Sequence, residues 1–156
     1  MGVCVNNAYF RSEFVKDLES SLEQVIDPSY KPMLAVHHDL RMKNMHIYDE
    51  LKTEKFFSLR MVGVDPKTRG MGVATDLIRR SILLAGCLGF SGIKTEATGK
   101  FSQKAFATIG MLQTNSIKYE DYEFEGKKVF EGMDPKHTEL AFMKKKFFQS
   151  CLKHIM

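Results

Sequence analysis

The sequence predicts one α/β domain in which helices flank a mixed central sheet. Residues 56–64 are almost continuously apolar, as in a strand covered on both faces, and an amphipathic helical pattern over 73–88 follows them after a glycine-bearing turn. Two alternating segments, 117–124 and 140–147, add strands near the end of the chain. Because 156 residues is the length of one ordinary domain, we expect a single domain over 1–156.

The first third of the chain is predicted from its local patterns. Residues 2–6 are apolar and β-branched, which indicates a strand. The polar region 9–54 follows, with helical patterns over 12–26 and 31–51 that a turn at 27–29 separates. We therefore expect this region to be a helical insertion between two strands.

The later elements follow the long helix. A strand is predicted over 93–98, and a short helix over 102–109 that Gly110 ends. The polar arm 125–137 joins the two last strands. The domain is then divided into an insertion at 9–54, a core at 56–111 and a closing strand pair at 112–147.

Composition and charge exclude several functional classes. The net charge of +4 is spread along the chain, which tolerates an anionic ligand without indicating a nucleic acid partner. The longest uncharged apolar stretch, 81–92, is far shorter than the roughly 20 residues that cross a bilayer, so no membrane partner is expected. Cys4, Cys87 and Cys151 lie far apart and have no metal-site spacing. We expect a cytoplasmic monomer with reduced thiols and no metal.

The segment that joins the central strand to the long helix carries the strongest functional signal. Gly70 and Gly72 leave room for the close approach of an anion, and the first N–H groups of the helix have no partners within it. Arg69 adds a positive charge, so the loop predicts phosphate binding. The alternative is a helix start that uses glycine only to turn. A dinucleotide loop is excluded because Gly70-Met71-Gly72-Val73-Ala74 continues to Thr75, and no Walker sequence occurs.

The same loop resembles a known family. Arg69, Gly72 and Ala74 match the R-x-x-G-x-A acyl-coenzyme A loop, and 109–111 (Ile-Gly-Met) stands where Leu-Gly-Phe is usual. Over nearly its whole length the chain resembles the GNAT superfamily of N-acetyltransferases. Within it, the chain is most similar to the insect-type arylalkylamine N-acetyltransferases, through the segments 2–6, 97–102 and 119–122.

This resemblance implies a GNAT fold and a reaction. Acetyl would pass directly from acetyl-CoA to the primary amine of a small arylalkylamine of the dopamine, serotonin, octopamine or tryptamine type. The core at 56–111 would bind acetyl-CoA. The implied cofactor-binding residues are Val62, Val64, Arg69, Gly70, Met71, Gly72, Val73, Ala74 and Lys104. Two alternatives stay open: a CoA-binding module without turnover, and a GNAT enzyme that acts on a polyamine or a protein N-terminus.

The resemblance also implies catalytic residues. Many members of the superfamily protonate the departing thiolate with a tyrosine where this chain has Phe106, which cannot donate a proton. The insect-type branch uses hydroxyls that correspond to Ser102 and Thr98, which are therefore the candidate catalytic residues. The alternative interpretation makes Ser102 the N-cap of the short helix and Thr98 the end of a strand.

The general base that the resemblance implies has no counterpart in this sequence. The resemblance implies a glutamate in a first helix that would precede Gly2, so we expect an N-terminally incomplete domain without this base and without much of the amine pocket. Substitutes within the chain carry weaker signals. His37-His38-Asp39 indicates a surface helix with no fixed partner, and neither His46 nor Glu96 is a stronger candidate.

Overall fold

A computed structural model describes residues 1–14 and 18–147 and confirms the α/β architecture. The strands are β1 (Gly2–Phe10), β2 (Lys55–Val64), β3 (Gly92–Ala97), β4 (Leu112–Lys118), β5 (Glu123–Phe124), β6 (Lys127–Lys128) and β7 (Glu139–Lys146). The α-helices are α1 (Arg11–Phe14), α2 (Leu18–Glu23), α3 (Lys31–Met42), α4 (His46–Glu50), α5 (Val73–Cys87) and α6 (Lys100–Thr108). Five strands form one mixed sheet in the order β1-β2-β3-β7-β4, and β5 pairs with β6 in a separate hairpin.

Helices cover both faces of the sheet because neighbouring strand residues point to opposite sides. On one face Phe56 packs with side chains of α3 and α4, including Val36 and Ile47. On the other face Phe57 packs with Ile78 of α5 and with side chains of α6. The continuous apolar run of β2 therefore belongs to two cores, as expected for a strand buried on both faces.

The beginning of the insertion differs from its prediction. The strand β1 continues to Phe10, so Tyr9 lies in the sheet opposite Phe56 and is buried. The described helical segments α1 and α2 fall in the region of the helix predicted over 12–26, and residues 15–17 of that prediction lie outside the described residues. Pairing with β2 extends β1 because the ladder satisfies backbone groups that a helix would otherwise bond.

The predicted helix over 31–51 is divided into α3 and α4 by a tertiary contact. Asn44 is fully buried between them, and its Nδ2 donates to the carbonyl of Leu40 at 2.7 Å. Its Oδ1 accepts hydrogen bonds from Thr114 Oγ1 at 2.9 Å and Asn115 Nδ2 at 3.1 Å. These partners come from β4, a distant part of the chain, so the sequence pattern of the helices did not reveal the break.

The strand β4 also lies earlier in the sequence than predicted. Residues 117–124 were expected to be extended, but β4 ends at Lys118 and a turn follows, in which Tyr122 N donates to Tyr119 O at 3.3 Å. The strand is at the sheet edge and its register shifts after Gln113. A bulge on an edge strand breaks the alternation on which the prediction depended.

No helix in the parts of the chain that the structure describes is both long enough and apolar enough to cross a membrane.

Candidate active site

The site begins where two parallel strands separate. The strands β2 and β3 pair only over three residues each, ending at Leu59 and Thr95, although they continue to Val64 and Ala97. The ladder between β1 and β2 skips Arg60, which makes a bulge immediately after the last β2–β3 pair. A bulge bends its strand, so β2 turns away from β3 and the two strands open a cleft at their carboxyl ends.

The cleft has a volume of about 400 Å³ and is lined by four elements. Among the described residues, β2 pairs only with β1 beyond Leu59, so its edge on the cleft side has backbone groups available to a ligand. The lining residues are Ser58–Val62 of β2, Thr95–Ala97 of β3, Thr98, Met33, Leu34, His37 and Arg41 of α3, and Ser102 and Phe106 of α6. The cleft therefore combines a free strand edge with both polar and apolar side chains.

The glycine loop lies at the same end of the sheet, since it joins the carboxyl end of β2 to α5. Gly70 and Gly72 adopt left-handed backbone angles, with φ of 79° and 78°, and a side chain at either position would point into open space. Gly72 is the N-cap of α5 and makes no side-chain cap hydrogen bond to the N–H groups that begin with Val73 and Ala74. This helix terminus is open to an anion.

The remaining cofactor candidates from the sequence differ in whether they line the cleft. Val62 lines the cleft, and Val64 is the last residue of β2. Arg69 and Met71 are exposed on the loop. Lys104 is exposed on α6 and is absent from the lining of the cleft.

Ser102 lines the cleft from the first turn of α6, where its Oγ donates to the carbonyl of Gly99 at 2.8 Å. The alternative interpretation of Ser102 as the N-cap is wrong, because the helix begins at Lys100 and its N-cap is Gly99. The N–H of Lys100 instead donates to Nδ1 of His137 at 3.2 Å. The residue that satisfies this helix terminus comes from the arm before β7, so the local sequence could not reveal it.

Thr98 and Phe106 complete this side of the cleft. Thr98 follows β3, is exposed, and accepts a hydrogen bond from Tyr119 Oη on its carbonyl oxygen at 2.9 Å. Burial, reinforced by Glu139, raises the pKa of Tyr119 to about 12, so its phenol stays protonated and donates to that carbonyl. Phe106 is buried and contributes only apolar surface.

The structure brings together side chains of α3 and β3 that are far apart in the sequence. Glu96 of β3 accepts a hydrogen bond from His37 Nδ1 at 2.6 Å and one from Arg41 Nε at 3.1 Å, and it pairs with Lys94 Nζ at 3.0 Å. The prediction of a surface helix with no fixed partner is therefore wrong for His37. The helix α3 packs on the sheet through its buried Val36, which brings His37 over β3.

Spacing was the available signal for this cluster. His37 and Arg41 are four residues apart and share one face of α3, and Lys94 and Glu96 are two apart and share one face of β3. The sequence did not show that these two faces meet.

Electrostatics hold Glu96 ionised. Burial opposes its charge, but Lys94, then His37 and Arg41, outweigh burial and hold the pKa of Glu96 well below its ordinary value. Burial lowers the pKa of Lys94, and the neighbouring carboxylate opposes that shift. Arg41 also donates from Nη1 to Tyr9 Oη at 3.2 Å, which ties the cluster to β1. The carboxylate is thus a fixed hydrogen-bond acceptor for groups in the cleft.

Comparison with known proteins finds similarity in solved structures. No protein-family model matches the chain, and no curated protein sequence matches it. The structure is similar to arylalkylamine N-acetyltransferase 2 from Aedes aegypti, with a TM-score of 0.85 and 32% identity, over 93% of this chain and 67% of that chain. For a mosquito arylalkylamine N-acetyltransferase-like 5b the TM-score is 0.80 and the identity 23%, over 94% and 68%. A polyamine N-acetyltransferase of Drosophila melanogaster shares the fold, with a TM-score of 0.81 and 15% identity, over 94% and 69%.

Proposed function

This chain belongs to the insect arylalkylamine N-acetyltransferases, a family with the GNAT fold, and from that premise we propose that it acetylates a small amine with acetyl-CoA. The acceptor is the primary amine of an arylalkylamine of the dopamine, serotonin, octopamine or tryptamine type. The observation that carries the proposal is the opened pair β2–β3 with the glycine loop at the same end of the sheet. An acyl-CoA needs both, because its arm is extended and its pyrophosphate is anionic.

The residues present fit acetyl-CoA. The free edge of β2 around Val62 and Val64 offers N–H and C=O groups that would pair with the amide groups of the pantetheine arm. The open terminus of α5 would hold the pyrophosphate, with Gly70 and Gly72 allowing close approach and Arg69 adding charge. When bound, acetyl-CoA supplies the acetyl group as a thioester.

Ser102 and Thr98 are the proposed groups at the departing thiolate. Ser102 reaches the cleft with its proton directed to the carbonyl of Gly99, and a rotation about its Cα–Cβ bond would redirect that proton towards the sulfur. A serine hydroxyl is a weak acid, so this role is to relay or solvate a proton. Thr98 would place a second hydroxyl beside it.

The lining of the cleft favours an aromatic acceptor. Met33, Leu34 and Phe106 provide apolar surface for a ring. Arg41 and Arg60 line the same cleft, so an acceptor with a second positive charge, such as a polyamine, meets repulsion there. An arylalkylamine has its single amine at one end and an uncharged ring at the other, which suits this combination.

The experiment uses the full 156-residue chain. Acetyl-CoA is titrated by calorimetry, and thiol release is then measured with tryptamine and, as the matched polycationic amine, with spermidine. We expect binding of acetyl-CoA and faster release with tryptamine.

Each other outcome contradicts a named part of the proposal. Release with spermidine alone would contradict the arylalkylamine acceptor and favour a polyamine enzyme. Binding without release from any amine would favour a CoA-binding module, and absence of binding would contradict the cofactor site itself.

A further inference from the structure

We propose that His37 is the general base that accepts the proton of the attacking amine, and that Glu96 is the positioning residue that fixes its ring. The inference rests on the proposed function, because it assigns a residue to the acetyl transfer. The observation behind it is the contact of 2.6 Å between His37 Nδ1 and Glu96 Oε2 at the wall of the cleft that also contains Ser102.

The hydrogen bond decides which nitrogen of the imidazole is basic. An ionised carboxylate only accepts hydrogen bonds, so Nδ1 carries the proton in the bond to Glu96. In the neutral ring Nε2 then has a free lone pair. Since His37 lines the cleft and Nε2 has no hydrogen-bond partner within residues 1–14 and 18–147, this lone pair is available to a ligand there.

His37 shares its carboxylate with two cations. Arg41 Nε and Lys94 Nζ contact Glu96, which His37 Nδ1 also contacts. Glu96 compensates when the ring becomes charged, because the contact then becomes a salt bridge. His37 is only 18% exposed and Glu96 10%, so water screens these interactions little. The arrangement is that of a base oriented by a third group.

The proposed transfer uses His37 to accept one proton and Ser102 to help supply another. The amine nitrogen forms a bond to the acetyl carbonyl carbon and gives its proton to His37 Nε2. The carbon–sulfur bond breaks, and its electron pair leaves on the coenzyme A sulfur. That sulfur gains a proton through Ser102 and water, and His37 returns its own proton to solvent. The products are the acetylated amine and free coenzyme A.

The test compares His37→Gln with His38→Gln. Glutamine at 37 can still donate a hydrogen bond to Glu96 but cannot act as a base. His38 is the matched control because it lies on the same helix with a similar exposure, 22% against 18%, and does not line the cleft. We expect kcat/KM for tryptamine to fall about 100-fold in His37→Gln, the lower end of what general-base catalysis contributes, with unchanged affinity for acetyl-CoA.

The pH profile separates a base from a structural residue. The wild type and His38→Gln should lose kcat/KM at acidic pH, because an imidazole that already carries both protons cannot accept the proton of the amine, and His37→Gln should lack that limb. Ionisation of the amine is common to all three proteins and cancels in the comparison. Glu96 contacts the ring, Arg41 and Lys94 contact Glu96, Tyr9 contacts Arg41, and Arg60 lines the same cleft. These five charged or titratable groups are present in each variant.

The possible results are distinguishable. Equal kcat/KM in the two variants, with wild-type turnover intact, would overturn the role of His37 and leave the proposed function standing. Acetyl-CoA binding without turnover in the wild type would overturn both. Should His37→Gln fail to fold, His37→Ala is measured with added imidazole: restored turnover supports the base, and wild-type turnover without imidazole overturns it.

Discussion

The two sides of the cleft differ in the groups that form them, since one side consists of backbone and the other of side chains. The side that we propose binds acetyl-CoA, called the cofactor side, consists of backbone: the free edge of β2, the open terminus of α5, and the positive φ angles of Gly70 and Gly72. The side that we propose receives the amine, called the amine side, consists of side chains from α3 and β3 that meet at Glu96. A site made of backbone depends on the local geometry of the chain, whereas a site made of side chains from two elements depends on how those elements pack together. Substitutions should therefore affect binding on the first side and stability as well as turnover on the second.

The largest effect on stability is expected for Glu96→Gln. The change leaves Lys94, which is 1% exposed, without its carboxylate, and breaking a buried charge pair in this way costs about 3–5 kcal/mol of the free energy of unfolding. Urea denaturation measures the loss. The matched control is Glu120→Gln, whose carboxylate is 76% exposed in a pair with Lys118 and should change stability by less than about 0.5 kcal/mol.

Acid denaturation gives this prediction a second measure. Because the pKa of Glu96 is lowered in the folded protein, its ionised form contributes stability that is present above the ordinary glutamate pKa, about 4.3, and is lost as the pH falls below it. The wild type should therefore lose more stability than Glu96→Gln below that pH. Parallel acid profiles would show that Glu96 is not held ionised by its neighbours.

A substitution on the cofactor side should lower acetyl-CoA affinity in addition to the backbone strain that any side chain causes at a positive φ. Gly72→Val places a branched side chain at a left-handed position, in the open space where we propose that the pyrophosphate binds. We expect acetyl-CoA affinity to fall about 10- to 100-fold, the equivalent of one charge-assisted hydrogen bond. The control is Gly132→Val, since Gly132 also has a positive φ, 84°, and open space around its Cβ. Equal loss of affinity in both variants would contradict the loop as the anion site.

The smallest effect is expected for Ser102→Ala, at the boundary between the two sides. Turnover should fall more than acetyl-CoA affinity if Ser102 handles the thiolate proton, while loss of its bond to Gly99 costs only about 0.5–1.5 kcal/mol of stability. Thr108→Val is the control, because Thr108 Oγ1 makes a similar bond of 2.8 Å to the backbone of α6 away from the cleft. A pure loss of stability in both variants would make Ser102 a structural residue.

The difference between the two sides also explains how far the sequence could be interpreted. The apolar run of β2, the glycines of the loop and the stripe of α5 are local patterns, so their elements were predicted to within a few residues. Predictions were wrong where a distant contact decided the outcome. Asn44 ends α3 through hydrogen bonds to β4, and His137 caps α6 from the far arm.

The sequence by itself determined the α/β order of elements, the strand–loop–helix unit and the backbone freedom of Gly70 and Gly72, because each depends on neighbours within a few residues. Only the tertiary structure decided that β2 turns away from β3 after Arg60 and that His37 meets Glu96. His37 and Glu96 are 59 positions apart in the chain. Spacing places a side chain on a face of its own element, but the packing of α3 against the sheet determines which face it meets.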